Sequence, residues 1–161
     1  MGVKFTKNHF PIATKVTWED IFDRVQNDYQ NDEGFRKLAS LRMLPPNDDD
    51  LMLRIIGNRK PPTFISRSSY TPGSLKKVQD KVNYSELHIY ISFVSNSDNF
   101  GRHNDNDDVL LVQSIGKMKY EVEGISYILN PGDSLFIPEQ VYHTPIVLGP
   151  RVTLSFAHSC N

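Results

Sequence analysis

From residue 17 the chain repeats apolar side chains at helical spacing: Trp18, Ile21, Phe22, Val25 and Tyr29 in TWEDIFDRVQNDYQ fall on one face of 3.6-residue turns. Thr17 and Asp20 stand where a capping pair would open that helix. A weaker helical pattern runs through Phe35, Leu38, Leu41 and Leu44 and stops at Pro45-Pro46, because proline cannot continue a helix. SLKKVQDKV at 74–82 reads as a third, short helix. Beyond NDDD at 47–50 the texture changes to short apolar runs broken by Pro, Gly and Asn: LMLRIIG, TFISRSSY, LHIYISFV, DVLLVQSI, KMKYEV, ISYIL, SLFIP and RVTLSF. Runs this short and closely spaced predict a sandwich or barrel of antiparallel strands, with the helices packed on its outside. Glu123-Gly124 reads as a tight hairpin turn, and Asn130-Pro131-Gly132-Asp133 as another turn.

At 161 residues the chain is expected to form one domain over 1–161, with a helical N-terminal segment at 1–60 and the barrel at about 61–161. Its 39% apolar and 23% charged composition is that of a soluble protein, and no stretch is long and apolar enough for a membrane helix. MGVKFTKNHFPIATKV has no apolar core followed by a cleavage site, so a cytoplasmic location without membrane attachment is expected. Gly2 and Thr6 match an N-myristoylation pattern only superficially. Cys160 is the sole cysteine; an internal disulfide or thiolate cluster is excluded, and any metal must be held by nitrogen and oxygen. A formal charge of −1 does not indicate nucleic acid as a partner, since phosphate binding demands a basic face. The basic residues Arg54, Arg59, Lys60 and Arg67 and the acidic run DNDD at 105–108 read as solvated loops.

Chemistry concentrates in GRHNDNDDVLLVQSIGKMKYEV at 101–122. His103 and Asp105 flank one residue, so in an extended segment both side chains leave the same face. His143 in PGDSLFIPEQVYHTP is the best third donor, following a turn, a short strand and a proline. Two imidazoles and one carboxylate are the ligand set of non-haem Fe(II) oxygenases, leaving sites open for a chelating co-substrate and dioxygen. Taken singly, His103 capping a loop and His143 satisfying a core hydrogen bond remain the alternatives.

These segments resemble the JmjC-type hydroxylases of the cupin superfamily, the asparaginyl and ribosomal-histidine hydroxylases among them. There an H-x-D element opens a strand that runs to Q-x-x-G and then an aromatic residue, here His103, Asp105, Gln113, Gly116 and Tyr120. PGDSLFIPEQVYH similarly resembles the family element ending in the distal metal histidine, His143. The resemblance covers roughly residues 88 to 157 and implies a mainly β fold, a double-stranded β-helix of the cupin or jelly-roll kind, with two or three N-terminal helices outside. It further implies Fe(II), replaceable by Ni or Zn on purification, and 2-oxoglutarate as co-substrate. Two departures stand out. Gln140 occupies the place of a cupin glycine, and Met118 the place of the Lys or Arg that binds the distal carboxylate of 2-oxoglutarate. Lys117 and Lys119 alternate to the opposite face. PRVTLSF, however, resembles the R-x-S/T element of other 2-oxoglutarate oxygenases, which makes Arg151 and Thr153 the candidate co-substrate residues. The competing view of Arg151 is an ordinary arginine at a strand entry.

The expected activity is that of an Fe(II)/2-oxoglutarate-dependent dioxygenase, a hydroxylase acting on an unidentified protein, peptide or small molecule. The alternatives are a cupin-like metal-binding protein or isomerase without 2-oxoglutarate chemistry, and a barrel serving only as a binding module. Gln113, Ser155 and Tyr90 are further polar candidates for the pocket, whereas His9, His88 and His158 match no motif. The chain ends close after its last predicted strand, so a monomer is expected ahead of a dimer.

Overall fold

The computed structural model describes residues 2–33, 35, 62–97 and 99–158. The second predicted helix beyond Phe35, the LMLRIIG run, and Cys160 lie outside them. Among the described residues two helices and nine strands follow in the order β1 (Lys4–Thr6), α1 (Trp18–Asn31), β2 (Phe64–Ser66), α2 (Ser74–Val82), β3 (Glu86–Ser92), β4 (Asp108–Ile115), β5 (Met118–Val122), β6 (Ile125–Leu129), β7 (Ser134–Ile137), β8 (His143–Val147) and β9 (Arg151–His158), with a 3-10 turn at Pro11–Lys15 before α1. A six-stranded sheet has the order β1-β7-β4-β9-β3-β2 and a second sheet the order β6-β5-β8. Every pairing is antiparallel. An isolated bridge between His103 and His143 adds one residue to the free edge of β8.

From β3 onward the chain crosses from the large sheet to the His103 bridge, back to β4, over to β5 and β6, back to β7, over to β8 and back to β9. That winding is a double-stranded β-helix, mainly β with its helices outside.

Alternation explains how the large sheet is covered on both faces. Leu110, Val112, Val152, Leu154 and Phe156 pack against Ile21 of α1 and Leu75, Val78 and Val82 of α2. Their neighbours Val109 and Leu111 point the other way, into the space between the sheets, where Met118, Tyr120, Val122, Leu135 and Val147 join them. The tight turns form as predicted. Glu123 and Gly124 both take positive φ, 51° and 78°, the conformation of a two-residue hairpin between β5 and β6. Buried Asp133 closes the other turn by accepting from the backbone N–H groups of Asn8 and Asn130.

Two expectations change. The N-terminal segment is not wholly helical, because Lys4–Thr6 extends the large sheet beside β7; three residues are too few to display a period. The buried stripe of α1 also differs. The Thr17–Asp20 capping box forms, but Phe22 and Tyr29 are more than half exposed, while Ile21, Arg24 and Asp28 are buried. Trp18 and Phe22 stack on one another at 5.9 Å near the surface. Arg24 is drawn inward by acceptors far along the chain: it donates to Ser66 Oγ at 2.6 Å, Tyr70 O at 3.0 Å and Leu87 O at 3.2 Å. Burial pushes its guanidinium down to about 10, opposed by the charge of Asp28, so it stays cationic at neutral pH.

Arg24→Met retains volume and removes these bonds. Deleting one partner from a buried charge arrangement costs about 3–5 kcal/mol, and urea denaturation of the variant should show a loss of that size.

Candidate metal centre

The backbone brings His103 and His143 together. Each N–H donates to the other's carbonyl, at 3.0 and 2.8 Å, and the rings lie 4.3 Å apart between centroids. The side chains are then aimed by local bonds. His103 Nδ1 lies 2.9 Å from Gly101 O and His143 Nδ1 lies 3.0 Å from Val141 O. A carbonyl only accepts, so both Nδ1 atoms carry the proton and both Nε2 lone pairs are free to coordinate. Burial pushes the His143 imidazole below its usual range, against the opposing bond to Val141, and this favours the neutral, ligating form.

Asp105 completes the group. Its Oδ2 lies 3.4 Å from His143 Nε2 and its Oδ1 lies 4.0 Å from His103 Nε2. Donors held about 2.1 Å from one ion stand roughly 3.0–3.4 Å apart. The three residues offer ligand atoms within 4.8 Å of one another, the one such group of His, Cys, Asp and Glu among the described residues. A small contraction would seat an ion, so the donor set and its preset tautomers fit a divalent metal. His9 and His88 stand outside the group.

The triad borders a cavity of about 70 Å³ whose wall also includes Tyr90, Tyr120, Arg151 and Ser155. Tyr90 and Ser155, both named as pocket candidates from the sequence, therefore line this space. Arg151 opens β9 and is only 2% exposed. Its Nε donates to Ser92 Oγ at 3.0 Å and its Nη1 to Thr153 Oγ1 at 2.8 Å. Thr153 in turn donates to Gln113 Oε1 at 2.8 Å, while Gln113 Nε2 donates to the carbonyls of Ile115 and Gly116. Thr153 does not line the cavity; its hydroxyl stands behind Arg151 and fixes it. The Tyr120 side chain lies close to Arg151 and Thr153.

Among the described residues no carboxylate comes within ion-pair distance of Arg151. Neither tyrosine can supply the missing charge. Burial, aided by the neighbouring Tyr120, pushes Tyr90 up to about 12, and burial likewise pushes Tyr120 up. Arg151 is lowered by burial but guanidinium groups remain charged in proteins. A cation facing a small cavity beside three metal-type ligands thus has no counter-ion among the described residues.

Met118 is fully buried among apolar side chains of the inter-sheet core and contributes no charge. Residues that sequence reasoning passed over include Ser92 and Thr63, whose hydroxyls lie 2.9 Å apart behind Arg151, and Phe100. The Phe100 ring is 55% exposed and stands edge-on to His103 and Tyr90 at 5.5 and 6.1 Å. Only the strand parity of Ser92 with Tyr90 hinted at the first, and nothing hinted at Phe100.

No family model matches the chain, and no curated protein matches it. Among solved structures, it is similar to the Escherichia coli ribosomal oxygenase YcfD in complex with cobalt and 2-oxoglutarate, at 24% identity and a TM-score of 0.47 over 55% of this chain and 28% of that one. A conserved Streptococcus pyogenes protein of unknown function is similar at 10% identity and a TM-score of 0.48, over 62% of this chain and 75% of that one. A putative mannose-6-phosphate isomerase from Ralstonia eutropha follows at 22% and 0.42, over 47% and 74%. The chain spans little more than a quarter of the ribosomal oxygenase. None of these assigns a residue or a reaction to this chain.

Gly116 takes φ 71°, and a Cβ there would collide with the carbonyl of Pro150, the residue before Arg151. Gly116→Ala should therefore lower the thermal midpoint by several degrees, a loss on the order of 1–3 kcal/mol, measured by circular dichroism.

Proposed function

We propose that the chain is an Fe(II)/2-oxoglutarate-dependent dioxygenase that hydroxylates its substrate. The observation that carries this reading is the buried guanidinium of Arg151, without a carboxylate partner among the described residues, on the wall of the cavity that also holds His103, Asp105 and His143. A small dianion with a chelating end and a free carboxylate end answers both demands at once.

In this reading the two Nε2 atoms and one Asp105 oxygen hold the metal, which when bound supplies the chemistry of dioxygen activation for coupled decarboxylation of the co-substrate and hydroxylation of a C–H bond. Arg151 binds the far carboxylate through a charge-assisted pair. Thr153, Gln113 and Ser92 keep its fork from turning away. Tyr120 closes the apolar wall and adds a hydroxyl to the same corner. The cavity, at about 70 Å³, is far below the roughly 300–1,000 Å³ of a drug-sized pocket. It leaves no room for a bulky substrate, and the exposed Phe100 ring forms part of its lining.

A second reading is a cupin-like metal-binding protein or isomerase without 2-oxoglutarate. The buried Met118, at the place where the relatives keep a Lys or Arg, favours it. One titration separates the two. Anaerobic Fe(II) protein, followed through its metal-to-ligand absorption, should bind 2-oxoglutarate. Arg151→Ala should keep iron and weaken the co-substrate about thirtyfold or more, as expected for losing a desolvated charge pair of roughly 2–5 kcal/mol. Wild-type protein that binds iron but no 2-oxoglutarate would select the second reading. Asp105→Ala deletes the one charged ligand and should abolish stoichiometric iron binding; retained iron would defeat both readings.

A further inference from the structure

Gln140 sits on the turn before His143 in a left-handed conformation, φ 62°, which side chains other than glycine adopt only with strain. Glycine is what the cupin pattern carries there. The strain has a visible return. Gln140 N donates to the carbonyl of Asp105 at 2.8 Å, a bond any residue could make. Its side chain adds bonds that glycine could not. Nε2 donates to the same carbonyl of Asp105 at 3.3 Å and to Asn106 Oδ1 at 2.9 Å. Asn104 Nδ2 answers with a bond to Gln140 Oε1 at 3.3 Å, besides one to the Gln140 backbone carbonyl at 3.4 Å that glycine could equally accept.

Residues on both sides of Asp105, and Asp105 itself, are therefore tied to one side chain. The stretch from His103 to Asp108 needs such ties, because between the His103 bridge and the start of β4 at Asp108 no residue pairs as a strand does. Beyond it, the one other bond from the 139–141 turn to this stretch is Glu139 N to Asp108 Oδ1 at 2.9 Å. We propose that Gln140 is a positioning residue of the metal centre, holding the Asp105 loop so that its carboxylate faces the two imidazoles. This rests on His103, Asp105 and His143 binding a divalent metal, and it reaches further: it gives this chain its own device for orienting the one anionic ligand, at a position the pattern leaves to glycine.

The test compares wild type, Gln140→Gly and Gln140→Met, each titrated as full-length metal-free protein with Co(II) by calorimetry and visible absorption. Gly relieves the strain and removes the side-chain bonds; Met keeps the strain and removes the bonds. Both should bind Co(II) about tenfold or more weakly than wild type, the usual effect of losing an outer-shell partner, with altered d–d band intensities at saturation. The metal-free Gly variant should melt no lower than wild type and above the Met variant, so that stability and affinity part company. Affinity within twofold of wild type in the Gly variant overturns the proposal. So does a Gly variant that loses affinity and melts lower than wild type, which would make Gln140 an ordinary structural prop. Wild-type protein that takes up no Co(II) overturns the metal reading itself, and this inference with it.

Discussion

The pairing of His103 with His143 is the contact on which the site depends. It is a single antiparallel bridge, two backbone hydrogen bonds of 3.0 and 2.8 Å, joining an otherwise irregular stretch to the edge of β8. In a hydrogen-bonded antiparallel pair the opposed residues have their Cα atoms about 5.5 Å apart and send side chains to one face, so the bridge sets the spacing of the imidazoles before any side chain acts. The rest of the connection from β3 to β4 is pinned to β8 at intervals. Asn96 N donates to Val147 O and Asn99 Nδ2 to Pro145 O, at 2.9 and 3.0 Å. The candidate ligands inherit their geometry from β8, which is itself paired along its length with β5.

Two buried arginines are supported in different ways. Both are almost inaccessible, Arg24 at 1% and Arg151 at 2%. Arg24 finds two backbone carbonyls and a hydroxyl, and the charge of Asp28 lies close enough to oppose its desolvation. Its demands are met within the protein. Arg151 finds neutral hydroxyls instead, from Ser92 and Thr153. Those fix direction without balancing charge. A buried ion of this kind is costly unless an opposite charge arrives, and the cavity is where one can arrive.

Much of this was legible in the chain, and the failures are instructive. Strand alternation gives Arg151 and Thr153 the same parity on β9, and the H-x-D spacing puts His103 and Asp105 on one side of their segment; both follow from geometry local to a few residues. The task of Thr153 was not legible, since it depends on Gln113 standing opposite it across β4 and β9, a register that local pattern does not contain. The face of α1 was misjudged for the same reason. Arg24 is buried because its acceptors lie 42 to 63 residues away, whereas Phe22 and Tyr29 read as core only by their apolarity. Gln140 was visible as a departure from glycine, but the sequence could not say whether the turn had changed. The left-handed φ of 62° answers that: the turn is kept, and the strain of a non-glycine residue is accepted.

The histidine tautomers weigh against a barrel whose histidines serve only structure. A structural histidine in a polar loop gains most by engaging both ring nitrogens. Here each imidazole gives its Nδ1 proton to a carbonyl two residues earlier in the chain, Gly101 for one and Val141 for the other. The same local device, repeated on two segments 40 residues apart in sequence, turns both Nε2 lone pairs toward a single carboxylate. Two neutral acceptors and an anion converging on one point repel one another unless a cation stands among them. Asp105, more open to solvent than either histidine side chain, is free to swing away from such a cluster. Its backbone carbonyl is bonded by both Gln140 N and Gln140 Nε2, and in the metal-binding reading proposed above those bonds keep the carboxylate beside the two imidazoles.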